Sequence, residues 1–152
     1  MSETRKRVLF LCIGNACRSQ MAEGFARTYG ADAVIPASAG LAPAMKVATD
    51  TLKAMAEKNI DIRDQFPKSI RHLGRAEFDV VVNMSGSFVP EELATRTRVL
   101  EWDVDDPVFL KYDRHCEVRD QIEKLVMGLI LELRQQQNVK GFRGQGSGSL
   151  ER

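Results

Sequence analysis

A chain of 152 residues with a hydrophobic fraction of 43% has room for one ordinary domain, and a formal net charge of +1 supplies neither a basic field for nucleic acid nor an acidic solvated tail. No apolar run is long enough to cross a bilayer, and the opening MSETRKR leads straight into a strand-like segment, so the expectation is a cytoplasmic protein without a membrane partner. Three cysteines, Cys12, Cys17 and Cys116, are too few and too odd for a secreted disulfide framework, which leaves reduced thiols.

In chain order, RVLFL (7–11) is short, β-rich and apolar on both faces, the pattern of a buried parallel strand. After a loop, QMAEGFARTYG predicts a helix ending at Gly30, and AVIPAS (33–38) a weaker second strand. KVATDTLKAMAEKN (46–59) sets Val47, Leu52, Met55 and Ala56 on one helical face. FDVVVNM (78–84) predicts a central strand, VPEELA a short helix and RVLEW (98–102) a fourth strand. Beyond DVDDP, the segment from roughly 116 to 137 spaces Val118, Ile122, Leu125, Val126, Leu129, Ile130 and Leu133 as a long amphipathic helix. This alternation predicts an α/β fold: a single domain over 1–137, with a four-stranded parallel sheet, right-handed crossovers and helices on both faces. The Gly- and Ser-rich end of 138–152 lacks periodicity and reads as a flexible C-terminal tail.

Sites in such sheets lie beyond the carboxyl ends of strands, which is where Cys12 stands. Between a strand and a helix, the backbone N–H groups of Ile13, Gly14, Asn15, Ala16, Cys17, Arg18 and Ser19 can converge on one centre, an anion nest backed by the helix dipole. Gly14 eases the turn, Asn15 tolerates a left-handed backbone and can tie the loop, and Arg18 offers a planar fork to a tetrahedral anion. Ser19 can donate toward the Cys12 sulfur, so one cradle binds the anion and arms the thiol. Cys17 has two readings, a reversible disulfide partner of Cys12 and a small buried filler. Cys12, Cys17, His72, His115 and Cys116 fit no compact zinc spacing, and no metal site is expected. His72 reads as a surface helix residue and Trp102 as core.

CIGNACRS, with VLFL before it and DDP far downstream, resembles the low-molecular-weight protein tyrosine phosphatase family, which shares its fold with the thioredoxin-linked arsenate reductases. The resemblance spans nearly all of residues 6–135, with SAG at 38–40 and FDVVVNM as less specific matches. It implies a four-stranded parallel sheet with the active loop after the first strand. It also implies Cys12 as nucleophile, Arg18 as oxyanion clamp, Asn15 as loop organiser, Ser19 as thiolate-stabilising hydroxyl, and the Asp before Pro107, Asp106 rather than Asp105, as general acid and base. The expected function is hydrolysis of phosphate monoesters, of phosphotyrosine type, through a phosphocysteine intermediate and without a cofactor.

Two alternatives stand beside that expectation. One is arsenate reduction by the same loop with an external thiol reductant, since CRSQMAEGF looks closer to the reductases. The other is non-catalytic oxyanion binding. The partners implied are a phosphate monoester or phosphorylated protein, inorganic phosphate or arsenate, and a thiol. Against the reductase, NMSGSFVPEEL after the third strand carries no cysteine pair; against phosphotyrosine, Phe109 and Tyr112 are displaced from the position directly after the proline.

Overall fold

The computed structural model describes residues 3–145, with side chains through 138. Strand β1 (Lys6–Cys12) is buried on both sides from Val8 onward, and its side chains alternate between two cores. Val8, Phe10 and Cys12 face one core, whereas Leu9 and Leu11 face the other. A continuous apolar run is what a strand with no solvent face requires.

β2 (Val34–Gly40), β3 (Val80–Asn83) and β4 (Arg98–Glu101) pair in parallel, in the order β2-β1-β3-β4. Register runs Cys12 opposite Gly40 and Leu11 opposite Asn83, so the ends of three strands meet at one edge of the sheet. The chain leaves β1 toward β2 and then returns across it to β3. That reversal opens a crevice beyond the end of β1.

Three helices cover the face toward which Cys12 points: α1 (Arg18–Tyr29), α2 (Thr49–Ala56) and α4 (Tyr112–Gln145). The other face is covered more thinly, by a 3-10 turn (Ile70–Leu73) and the short α3 (Glu91–Ala94), through Ile70, Leu73 and Leu93. On α4 the expected stripe is buried, from Val118 and Ile122 through Val126 to Leu133, with Leu125 partly so. Burying seven such residues contributes on the order of 10 kcal/mol of hydrophobic free energy before the cost of ordering.

Two helices differ most from expectation. The helix expected over 46–59 is only α2, because Ala48 stays extended and donates its N–H to the Ala16 carbonyl at 3.0 Å. Its buried side chains are Thr51, Ala54 and Met55, while Ala56 is exposed, since the helix presents the 51/54/55 face to α1 and α4. The helix expected to stop at 137 runs on to Gln145, continuing through Gly141 and Gly144. The start of the expected tail, 138–145, is therefore helical, and 146–152 lie outside the described residues. No helix among the described residues is long and apolar enough to cross a membrane.

Candidate active site

The loop after β1 is turned inside out by its neighbours. The carbonyls of Cys12, Ile13, Gly14 and Ala16 accept from the N–H groups of Leu41, Ala42, Ala44 and Ala48, at 3.1, 2.8, 2.9 and 3.0 Å. The carbonyl of Asn15 accepts from Gln20 Nε2 at 2.9 Å, and that of Cys17 from the Met21 N–H at 2.9 Å. With every carbonyl directed outward, the N–H groups of residues 13–17 are left without a protein acceptor among the described residues, and peptide planarity directs them inward. An anion at the centre would satisfy them, at the positive end of α1.

Gly40 makes this approach possible. A Cβ on it would stand 2.7 Å from the Ile13 carbonyl oxygen and 2.9 Å from the Asn15 nitrogen, closer than any side chain tolerates. The left-handed turn of the loop falls on Asn15, at φ 52°, not on Gly14. Such a backbone costs about 1–2 kcal/mol outside glycine, and asparagine offsets it with local hydrogen bonds.

Those bonds fix the polarity of the nucleophile's partner. The Lys68 N–H donates to Asn15 Oδ1 at 2.9 Å, so the other end of the amide is the NH₂ group, which donates to Ser19 Oγ at 2.6 Å. Ser19 therefore accepts from Asn15 and spends its own hydrogen on Cys12 Sγ, 2.9 Å away. The Cys12 sulfur is thereby an acceptor at the floor of the loop. Cys12 and Asn15 are both buried, and Gln20, fully enclosed, also donates to the Phe66 carbonyl at 3.0 Å, tying the loop to the 65–68 segment.

Arg18 reaches under the loop. Its Nη1 donates to the carbonyls of Met84 and, at 3.1 Å, Val104, while Nη2 stands 3.3 Å from Asp106 Oδ2. Its Nε is buried with no protein partner, a donor free for a further acceptor. The two candidate acids separate cleanly. Asp106 lines the cleft with Cys12, whereas Asp105 turns out to Arg114 at 3.0 Å and is 76% exposed. Pro107 and the Val108 N–H, which donates to Asp106 Oδ1 at 3.1 Å, hold the Asp106 carboxylate in place. The cleft is about 200 Å³, lined by Cys12, Ile13, Gly14, Cys17 and Asp106, and it opens past Ala44 and Phe109 into a trough of about 490 Å³.

Cys17 shares the cleft but not the chemistry of Cys12. Burial pushes its thiol up to about 11, with the neighbouring Thr51 hydroxyl opposing. Thr51 Oγ1 in turn lies 3.1 Å from His115 Nδ1, and both residues are almost wholly enclosed. Burial lowers the imidazole's affinity for a proton, with Asp50 and Asp106 opposing, so His115 is held toward its neutral form.

Sequence reasoning did not connect Thr51 and His115 to the loop, because they are brought there by α2 and α4 rather than by local spacing. Gly40 had a signal, a glycine at a strand end. His72 is exposed, stacked edge-on against Phe66 with ring centroids 5.4 Å apart, and takes no part in the site. Cys116 lies on α4 beside Tyr112, outside the cleft. Among the described residues no group of three or more His, Cys, Asp or Glu side chains gathers as a metal cage.

Comparison with known proteins agrees with this geometry. The family model described as low molecular weight phosphotyrosine protein phosphatase matches residues 7–139. A protein named glutaredoxin arsenate reductase from Synechocystis is 35% identical over 130 residues, covering 84% of this chain and 98% of the relative. A solved structure described as an arsenate reductase in the phosphate binding state superposes with a TM-score of 0.78 at 35% identity, covering 84% of this chain and 98% of that one. The low molecular weight protein tyrosine phosphatase from T. tengcongensis superposes at 0.70 with 28% identity, covering 84% and 99%.

Proposed function

The chain belongs to the low molecular weight phosphotyrosine protein phosphatase family, and from that premise we propose that it is a Cys12-dependent arsenate reductase completed by a thiol reductant. The observation that carries the first step is the hydrogen-bond chain from Lys68 through Asn15 and Ser19, which leaves Cys12 Sγ as an acceptor beneath unpaired N–H groups. Arsenate has the charge and shape that this nest suits. Cys12 attacks arsenic, the loop N–H groups and Arg18 hold the oxygens, and Asp106 protonates the departing hydroxide so that water leaves. A thiol then attacks Cys12 Sγ, the sulfur–arsenic bond breaks with its electron pair on arsenic, and arsenite departs. The similarity to proteins named arsenate reductases supports this choice of oxyanion.

Hydrolysis of phosphate monoesters is the second reading. It is favoured by one observation: the segment Met84 to Pro90 after β3 carries no thiol to relay a disulfide outward. The same groups would then form a phosphocysteine on Cys12, with Asp106 protonating the ester oxygen and afterwards activating water. The trough beside the cleft leaves room for an organic leaving group. A non-catalytic role would require neither the Cys12 thiol nor the Asp106 carboxylate.

One preparation separates the readings. Reduced, metal-free protein is assayed for arsenite formation with glutathione and for phosphate release from an aryl phosphate, beside Cys12→Ser and Asp106→Asn. Arsenite production lost in Cys12→Ser supports the reductase; phosphate release without arsenite formation transfers the assignment to the phosphatase. Neither activity in the wild-type protein would reject both. A reducing compartment such as the cytoplasm suits either reaction, because the thiols must stay reduced.

A further inference from the structure

The trough beside the cleft has a chemistry of its own. It holds about 490 Å³ and shares Ala16, Ala44, Val108 and Phe109 with the cleft that contains Cys12, so the two spaces are continuous. A volume of that size takes a small organic molecule, not a folded domain. Its wall carries one cation, Lys46, and one anion, Asp50. Neither is in an ion pair with another side chain among the described residues. An inorganic oxyanion gains nothing from Asp50 or from the apolar surface of Ala48 and Leu110. A zwitterion with an apolar stem uses all of them.

The same trough is lined by His115, a side chain otherwise almost wholly enclosed. Its Nδ1 lies 3.1 Å from Thr51 Oγ1, which leaves Nε2 without a hydrogen-bond partner among the described residues. That nitrogen is not sealed in, because the fully buried side-chain nitrogen left unpartnered among the described residues is Arg18 Nε. Nε2 therefore opens on the trough.

We propose that the trough is the docking site of the external reductant, a small zwitterionic thiol of peptide type, with Lys46 on a carboxylate, Asp50 on an ammonium and His115 Nε2 as the base that takes the thiol proton. The inference rests on the reductase reading of the site. With Nδ1–H donating to Thr51 Oγ1, the imidazole lone pair lies on Nε2. Once Cys12 carries arsenic, the thiol sulfur attacks Cys12 Sγ as its proton passes to Nε2. The sulfur–sulfur bond forms, the sulfur–arsenic bond breaks, and its electron pair stays on arsenic, which falls from the +5 to the +3 state. The imidazolium hands its proton to an oxygen of the departing arsenite. A second thiol molecule then attacks the reductant's sulfur in the mixed disulfide, Cys12 is released, and the two reductant sulfurs leave as one disulfide. No protein sulfur besides Cys12 is consumed, in keeping with a loop after β3 that carries none.

The surroundings of His115 suit a base. Burial holds the imidazole toward its neutral form, so the lone pair is available near neutral pH. The charged groups that face it are Asp50 on α2, Asp106 at the cleft and Lys46 in the trough wall. The two aspartates stabilise the imidazolium once it forms, and its proton is then returned to arsenite.

The test reads the thiol step, as kcat/KM for the reductant at saturating arsenate. Glutathione, which carries carboxylates and an ammonium, is compared with dithiothreitol, which has neither. Lys46→Ala and Asp50→Asn lower kcat/KM for glutathione about 10-fold relative to that for dithiothreitol. His115→Gln lowers kcat/KM with both thiols about 10²-fold at about pH 7. That gap closes toward about pH 9.5, where the thiol ionises without help. Calorimetric titration of His115→Gln with phosphate gives the wild-type Kd, which shows the nest intact.

A wild-type ratio of glutathione to dithiothreitol in both Lys46→Ala and Asp50→Asn would remove the trough as the docking site. A wild-type rate for His115→Gln at neutral pH, or an equal loss at both pH values, would remove the proton transfer. Arsenite formed with a folded dithiol protein but not with glutathione would put a protein in place of the small thiol and overturn the proposal. No arsenite from wild-type protein with any of the three reductants would remove the reductase reading itself, and this inference with it.

Discussion

The loops after β1 and β3 occupy matching places in the sheet, at the ends of adjacent interior strands, yet only one is built to bind. In the β1 loop the carbonyls are taken by residues 41–48 and by Gln20, which strands the N–H groups on the inside. In the β3 loop the side chains of Asn83 and Ser85 turn back onto the loop's own backbone. Asn83 Oδ1 accepts from the Ser85 N–H at 3.0 Å and the Ser85 hydroxyl at 2.6 Å, and Asn83 Nδ2 donates to the Ser87 carbonyl at 2.8 Å. The Met84 carbonyl accepts from Arg18. Position at a strand end is therefore permissive; the site arises where a second segment claims the carbonyls.

The largest effect that would break this contrast is at Cys12. Cys12→Ser should lower turnover by at least about 10⁴-fold in either reaction while phosphate or arsenate still binds, because the nest is backbone. Calorimetric titration beside steady-state assay checks both halves. Ser85→Ala in the other loop should change turnover by less than about twofold. Substantial activity in Cys12→Ser would place the nucleophile elsewhere.

Gly40→Ala attacks the claim on the carbonyls without touching a reacting group. The new methyl must push the Ile13 carbonyl and Asn15 nitrogen apart, and overpacking of this kind typically costs about 1–3 kcal/mol. Thermal unfolding should fall by roughly 5 °C, and kcat by about 10²-fold, since small misplacements of reacting geometry are amplified. Activity unchanged beside a lowered Tm would mean that the nest tolerates distortion and that its precision is not what matters.

These two positions mark how far the chain was legible before its structure. The β1 strand was readable because a doubly buried strand must be apolar throughout. The loop was readable because a thiol, an arginine and a serine stand within eight residues. Asp106 was separable from Asp105 only through the family resemblance; the geometry separates them because Arg114 draws Asp105 away. The outward turn of the loop carbonyls was not legible, since their partners lie some 30 residues along and donate through backbone that has no sequence signature. Thr51 and His115 were hidden for the same reason. The extra turns of α4 and the shortened α2 show the two opposite errors: a helix that continues through Gly141 and Gly144, and tertiary hydrogen bonding that holds Ala48 out of a helix.

Asp106→Asn and Asp105→Asn sharpen the comparison at a third strand end. The first should slow turnover about 10²-fold and the second less than about twofold. Equal losses would mean that the carboxylate field, not the proton, is the contribution of this segment.

The smallest effect compares two exposed phenylalanines, Phe88 in the β3 loop at 97% and Phe109 beside the cleft at 98% exposure. Neither buries enough surface to stabilise the fold, so Phe88→Ala should leave stability within about 0.5 kcal/mol. Phe109 differs in its backbone, at φ 67°, which a bulky side chain adopts only at a cost. Phe109→Gly removes a left-handed strain of about 1–2 kcal/mol and adds roughly 0.5–1 kcal/mol of unfolded-state entropy. A net gain of about 0.5 kcal/mol in urea unfolding is expected. If stability rises while KM for an aryl phosphate also rises, the strain at Phe109 holds an aromatic face at the trough for the organic part of a substrate, and the phosphatase reading gains. If stability rises and KM for arsenate and aryl phosphate are both unmoved, that wall serves neither reaction, and the inorganic oxyanion in the nest is all the site has to recognise.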